Sequence, residues 1–172
     1  AGKKVTKQGR TLEERAPTSV VVLSVEASAP PRSMGQPKQP LTAIVQAWMR
    51  SISQAGGEIW EHGEGSFLVC WVAKDGLKTA LKEALKAAVD MRDTAQDAGY
   101  RVSAGVAPGA AQLSSQSNRP PAGWELAGAF YLARWMMNLS AHRGRILLTE
   151  VGKKQIDEQA TTSLGRISIQ GN

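Results

Sequence analysis

The sequence has one cysteine and two histidines among its 172 residues. A single cysteine excludes an intramolecular disulfide framework, so Cys70, inside an apolar run, is expected to be a small buried hydrophobe in a reducing compartment. His62 and His142 lie far apart, and no spacing of Cys and His typical of a zinc site is present. No serine has a neighbouring His-acid motif, so nucleophilic catalysis has no support.

Long hydrophobic runs are also absent. No apolar stretch approaches the length that crosses a bilayer, and the N-terminus is polar, unlike a signal peptide. We therefore expect a cytoplasmic protein. Of the formal net charge of +6, residues 1–18 contribute +3, from five basic and two acidic side chains. We expect a basic leader or linker at 1–18, one domain at 19–172, and no nucleic-acid partner.

Hydrophobic periodicity predicts a mixed α/β (α+β) fold. The predicted elements are a strand at 20–27, a loop with four prolines at 29–40, a helix from 41 that ends at glycines 56 and 57, a hairpin up to 72, a helix at 75–98, a strand at 100–107, a loop at 108–122 and a helix at 124–139. The first six regular elements have the ferredoxin-like order, a mainly antiparallel sheet with helices packed on one face. Lys78, Lys82 and Lys86 are expected on a solvated face of the longest helix.

The hairpin contains a glycine-flanked acid. Residues 56–65 have the sequence GGEIWEHGEG, and an apolar strand follows, so a tight glycine turn presents Glu64 at its tip. This order resembles the central hairpin of class III nucleotide cyclases, where Gly-Gly and a Lys precede Gly-Asp-Gly. Here the Asp is Glu64 and the Lys is Trp60. Three further segments agree in order with that family, at 20–27, 101–109 and 124–150, so the resemblance covers roughly residues 18–169.

The resemblance implies a shared site in a dimer. Cyclases of this class use two Asp for two metal ions, a Lys and an Asp to recognise the purine, and an Asn and an Arg for ribose and phosphate. Glu26 and Glu64 occupy the metal positions, which implies Mg²⁺ or Mn²⁺ if any cofactor binds. Each Glu adds one methylene, so metal binding is expected to be impaired. Glu26 is equally consistent with a solvated strand end, and Glu64 with a turn residue.

The remaining family positions have mostly lost their chemistry. Trp60 replaces the purine-recognising Lys. The partner Asp aligns with Gly123 or, in a second register, with Ala122. The Asn aligns with Phe130 or Ala129, and the Arg with Arg134 or Ala133, so Arg134 is the one candidate catalytic residue that is retained. Arg134 is also expected to pair with Glu125 or to extend to the surface.

These replacements predict a degenerate cyclase-like domain that serves as a dimerisation or regulatory module in intracellular signalling. The expected partner is a second copy or a homologous cyclase-like domain, bound through Trp60 and the apolar helix at 124–139. One alternative is a divergent cyclase, or half of a heterodimeric site, that makes a 3′,5′-cyclic nucleotide with two metal ions. Another is a pocket that senses a nucleotide or other anion without turnover, with weak nucleotide binding.

Overall fold

A computed structural model describes residues 18–111, 128–139 and 144–156. In chain order its elements are β1 (Thr18–Ser28), a 3-10 turn (Arg32–Met34), α1 (Leu41–Gln54), β2 (Glu58–His62), β3 (Ser66–Val72), α2 (Leu77–Asp97), β4 (Arg101–Ala111), α3 (Gly128–Met137), β5 (Ile146–Leu148) and α4 (Glu150–Lys153). None of the helices in these ranges combines the length and the apolarity of a membrane span.

The strands form one sheet in the order β2-β3-β1-β4-β5. Strand β1 lies between β3 and β4 and is antiparallel to both, and β2 is antiparallel to β3. The short β5 is parallel to β4. The predicted α+β fold with a mainly antiparallel sheet is therefore confirmed, and the first four strands have the ferredoxin-like order.

The predicted loop at 108–122 was wrong at its beginning, because β4 continues to Ala111. The whole of β4 is aligned with β1, from Arg101 opposite Ser28 to Ala111 opposite Thr18. On its other side β4 pairs with β5 only from Ala104 to Val106. A proline is tolerated at a strand edge that has no ladder partner, so Pro108 does not end the strand.

One face of the sheet is covered by α1 and α2. Alternate residues of β1 point to this face and join the apolar stripes of both helices in a single core. The indole N–H of Trp48 in α1 donates to the Met91 carbonyl of α2 at 2.8 Å, so the two helices are linked by a satisfied buried donor. A second indole, that of Trp71 in β3, donates to the carbonyl of Ala55 at the end of α1 at 2.9 Å.

Helix α3 covers the opposite face of the sheet. The ferredoxin-like order of elements does not by itself place a helix on that face. It packs on Val20 and Val22 of β1, on Leu68 and Cys70 of β3, and on β4 in a second core. The approach to β4 is close. A Cβ on Gly105 would collide with the carbonyl oxygen of Ala133, and a Cβ on Gly109 would lie 2.6 Å from that of Ala129.

We predict that Gly105→Ala lowers the free energy of unfolding by about 1–3 kcal/mol, because the added methyl forces α3 away from the sheet. Urea unfolding followed by circular dichroism measures the change. Gly128→Ala is the matched control. Gly128 opens α3 and is exposed, and no described atom lies within 4 Å of the position that an added Cβ would take, so its alanine variant should be neutral or slightly more stable. Equal effects of both substitutions would contradict the close-packing interpretation.

Candidate functional site

A β-bulge in β2 determines which side chains of the hairpin face α3. Ile59 is opposite Val69, but Glu61 is opposite Leu68, so Trp60 is an extra residue without a counterpart on β3. In a regular strand, consecutive side chains point to opposite faces. The bulge instead brings the adjacent residues Trp60 and Glu61 to the same face, where both contact α3.

Trp60 stacks on Phe130 of α3. The two ring centroids are 4.8 Å apart and the rings are inclined by 20°. Trp60 is half-buried and packs against the core under α3, of which Phe130 is a buried member. Offset stacking of this kind contributes about 0.5–1.5 kcal/mol beyond the burial of apolar area. The sequence predicted that Trp60 would be covered by a partner subunit, but helix α3 of the same chain covers it.

Arg134 lies one turn after Phe130 and forms an ion pair with Glu61. Its Nη2 donates to Glu61 Oε2 at 2.8 Å, with the Arg134 and Glu61 side chains 39% and 55% exposed. Exposed pairs contribute about 0.2–1 kcal/mol. The sequence suggested Glu125 as the partner, and Glu125 lies outside the described residues. Glu61 was missed because strict alternation would have placed it on the opposite face from Trp60.

A small cleft opens between the hairpin, β1 and α3. Its volume is about 90 Å³, well below the roughly 300–1,000 Å³ of ligand pockets that enclose a whole small molecule. Ser24 is buried and its hydroxyl donates to Met137 Sδ at 3.1 Å. The lining includes Ser24, Glu61, His62, Ser66, Arg134 and Met137. The sequence had singled out only Arg134 as a functional residue of this group.

The two candidate metal ligands lie near the same end of β1. Glu26 is opposite Ser66, two residues after Glu64 in the hairpin turn. The turn is fastened to β1, because the Ala27 N–H donates to the Gly65 carbonyl at 2.8 Å, and Gly65 has a φ of +79°. Both carboxylates are exposed, and neither lines the cleft. Carboxylate oxygens suit Mg²⁺ or Mn²⁺, so the donor chemistry fits a divalent cation.

Other metal and thiol chemistry has little support in the described part of the chain. Within residues 18–111, 128–139 and 144–156, no group of three or more His, Cys, Asp or Glu could hold a metal ion. Burial raises the pKa of the Cys70 thiol far above its ordinary value, and the charge of Glu58 raises it further. Cys70 is therefore a neutral core residue, as the sequence predicted. Gly123, Ala122, Trp124 and His142 lie outside the described residues.

Comparison with solved structures identifies the fold. The adenylyl cyclase CyaB from P. aeruginosa is 11% identical with a TM-score of 0.59, over 84% of this chain and 83% of that chain. The guanylyl cyclase Cya2 is 13% identical with a TM-score of 0.59, over 91% and 86%. The chain has the fold of a nucleotide cyclase domain. No family model matches the sequence, and no curated protein matches it either.

A third structure with the cyclase fold is the guanylyl cyclase domain of the RhoGC fusion protein from Blastocladiella emersonii. It is 15% identical with a TM-score of 0.55, over 81% of this chain and 85% of that chain. That domain is known in a monomeric crystal structure and in a non-canonical dimeric one. The family resemblance of the sequence thus agrees with the observed fold, and identities of 11–15% carry the agreement no further than the fold.

We predict that Trp60→Ala lowers the free energy of unfolding by about 2 kcal/mol, through loss of the stack on Phe130 and of half-buried apolar area. Chemical denaturation measures this change. Tyr131→Ala provides the control, since Tyr131 is also an aromatic of this region but is 50% exposed on α3, and its loss should cost about 0.5 kcal/mol or less. If both variants are as stable as the wild type, the stack does not hold α3 against the hairpin.

Proposed function

We propose that this chain is a catalytically degenerate cyclase-type domain that acts as a dimerisation or regulatory module in intracellular signalling. The main observation that supports this proposal is the stack of Trp60 on Phe130. Trp60 stands where the family resemblance would have a purine-recognising Lys, and in the first of the two registers Phe130 stands where it would have a ribose-orienting Asn. Both polar groups are replaced, and the replacements are in contact with each other.

The stack removes recognition in two ways. An indole in place of an ammonium group leaves no cation to bind a base carbonyl, and a phenyl ring offers no hydrogen bond to ribose. Because the two ring centroids are only 4.8 Å apart, the rings also fill the space between positions 60 and 130. A site that hydrogen-bonds its substrate can select that substrate by several orders of magnitude. This selectivity is lost when the polar side chains of the site are replaced.

The geometry of α3 supports one of the two alignment registers. Ala129 and Ala133 are buried against Gly109 and Gly105 of the sheet, whereas Phe130 stacks on the hairpin and Arg134 pairs with it. This favours the register in which Phe130 replaces the Asn and Arg134 is retained. Arg134 alone is a weak remnant, because loss of one transition-state donor typically costs about 10²–10³ in rate and the residues of such a site act as a unit.

The module role rests on the surface next to this altered site. Tyr131 is 50% exposed on α3, and Leu132 and Trp135 beside it are half-buried. Aromatic side chains that keep part of their area in solvent are enriched at protein interfaces. We infer that the partner, a second copy or a homologous cyclase-like domain, binds this outer side of α3. A cytoplasmic location, with residues 1–18 as a linker, is part of the same proposal.

Purified protein should produce no cyclic AMP or cyclic GMP from ATP or GTP in the presence of Mn²⁺ or Mg²⁺. The reason is the loss of the groups that would orient the base and the ribose. A sensitive immunoassay or mass spectrometry of the nucleotide products checks this. Glu64→Ala is the control for genuine turnover, since contaminating cyclase activity would be indifferent to it.

Turnover that Glu64→Ala abolishes would support the alternative, a divergent cyclase or half-site. In that case Glu26 and Glu64 would hold the divalent cations, which neutralise charge at a triphosphate. Titration calorimetry separates the third possibility, an anion-sensing pocket. Such a pocket would bind nucleotides weakly and without preference between ATP and GTP, because the base-recognising pair is gone.

Tyr131→Glu should weaken self-association through α3 by at least about tenfold, because it places a charge in a contact that buries an aromatic ring. Sedimentation velocity at micromolar concentrations measures the effect. Gln46→Glu is the matched control, since Gln46 is an exposed residue of α1 on the opposite face of the sheet. A protein that stays monomeric at every concentration, or a dimer that tolerates Tyr131→Glu, would rule out this contact between copies.

A further inference from the structure

The exposed face of α2 has its charges in two blocks. Lys78, Lys82 and Lys86 lie in the N-terminal half, and Asp90, Asp93 and Asp97 lie in the C-terminal half. At 3.6 residues per turn, all six fall within about 120° of the helix circumference. Each of the six residues is exposed, so the blocks form one continuous surface on the side away from the sheet.

This charge order does not stabilise the helix itself. The macrodipole favours acidic residues at the N-terminus and basic residues at the C-terminus, which is the opposite arrangement. The first turn has no acidic residue and the last turn has no basic residue. Lysines spaced four apart also repel one another. The stability of the helix therefore does not explain this order of charges, and an interaction with another molecule can.

Other charged groups near this face leave the two blocks intact. Glu83 is half-buried at the flank of the lysine block. Arg92 pairs with its neighbour Asp93 at 3.1 Å, with the side chains 31% and 55% exposed. That contact uses only Oδ1 of Asp93, so Asp90, Asp93 and Asp97 all remain exposed carboxylates of the acidic block. Close to the boundary between the blocks, Val89 is an apolar side chain that is 39% exposed.

We propose that α2 binds α2 of a second copy of this chain, antiparallel and about a two-fold axis near residues 87 and 88. In that arrangement Lys78 of each copy lies level with Asp97 of the other, and Lys82 lies level with Asp93. The lysine block of each copy thus faces the aspartate block of the other over a length of about 28 Å. Val89 of both copies lies next to the axis, where the contact is most protected from water.

Charge complementarity favours a second copy of the chain over a polyanion as the partner of α2. An anionic membrane or a nucleic acid would bind the lysine block and be repelled by the aspartates beside it. A second copy in antiparallel orientation uses both blocks, and a two-fold contact requires such self-complementarity. Because exposed ion pairs contribute little individually, the association should be weak and should weaken further as salt is added.

The contact is independent of the proposed function. Helices α2 and α3 lie on opposite faces of the sheet, so a dimer through α3 leaves α2 free, and the reverse also holds. Measurements in a Tyr131→Glu background therefore report on the α2 contact alone. Failure of one contact does not entail failure of the other.

The test uses two charge-reversed variants of the full chain, and every protein compared, including the reference with wild-type α2, carries Tyr131→Glu. The acidic variant combines Lys78→Glu and Lys82→Glu, and the basic variant combines Asp93→Lys and Asp97→Lys. Both improve the match to the helix dipole, so each should be at least as stable as the wild type in thermal unfolding. Loss of association then cannot be ascribed to loss of folding. Sedimentation velocity at up to about 100 µM protein in low salt measures self-association.

We expect each variant alone to self-associate at least about tenfold more weakly than the wild type. An equimolar mixture should regain association, because every lysine at positions 78, 82, 93 and 97 then faces a carboxylate of the other variant. Adding NaCl to about 0.5 M should dissociate the wild type and the mixture alike. The proposal fails if the wild type does not associate in low salt, if either variant associates like the wild type, or if the mixture associates no better than its components. Binding to anionic vesicles that the basic variant strengthens, without self-association of the wild type, would assign the face to a membrane instead.

Discussion

The close contact of α3 with β4 is the constraint on which the candidate site depends. Gly105 and Gly109 lie on one face of β4, four residues apart, and the small side chains of Ala129 and Ala133 meet them at the same spacing on α3. A larger side chain at either glycine would lift the helix from the sheet. When α3 packs in this way, the residues that follow these alanines, Phe130 and Arg134, face the hairpin. Phe130 stacks on Trp60 there, and Arg134 pairs with Glu61.

Most of the fold followed from the sequence because its periodicities are strong. The apolar stripe from Leu41 to Ile52 became α1, and the glycine-flanked hairpin became β2 and β3. The end of β4 was predicted too early because Pro108 begins the Ser/Pro/Gly-rich stretch that was interpreted as a loop. Whether a proline breaks a strand depends on which neighbours the strand has there, and those neighbours come from distant parts of the chain.

The site was less predictable, since it depends on departures from regular geometry. The sequence placed Trp60, Phe130 and Arg134 at family positions but assigned the cover of Trp60 to another subunit. A bulge at Trp60 cannot be inferred from alternation, and without it Glu61 has no reason to face Arg134. The charge order of α2, by contrast, was fully visible in the sequence. It was interpreted as a solvated face because only the lysines were considered, without the aspartates that follow them.

The stack and the ion pair contribute unequally to the stability of this site. The Arg134 to Glu61 pair is exposed at both ends, so solvent screening limits it to about 1 kcal/mol or less, and a competing anion could displace the carboxylate. The Trp60 to Phe130 contact is formed by apolar area that is buried at Phe130 and half-buried at Trp60, and salt does not screen it. A Lys at position 60 alone would keep at most a cation–π contact with Phe130, and an Asn at position 130 alone would be buried against an indole with its amide short of partners, at about 1–3 kcal/mol. Each aromatic therefore makes the other costly to replace by the polar residue of a cyclase, and the pair behaves as one structural unit.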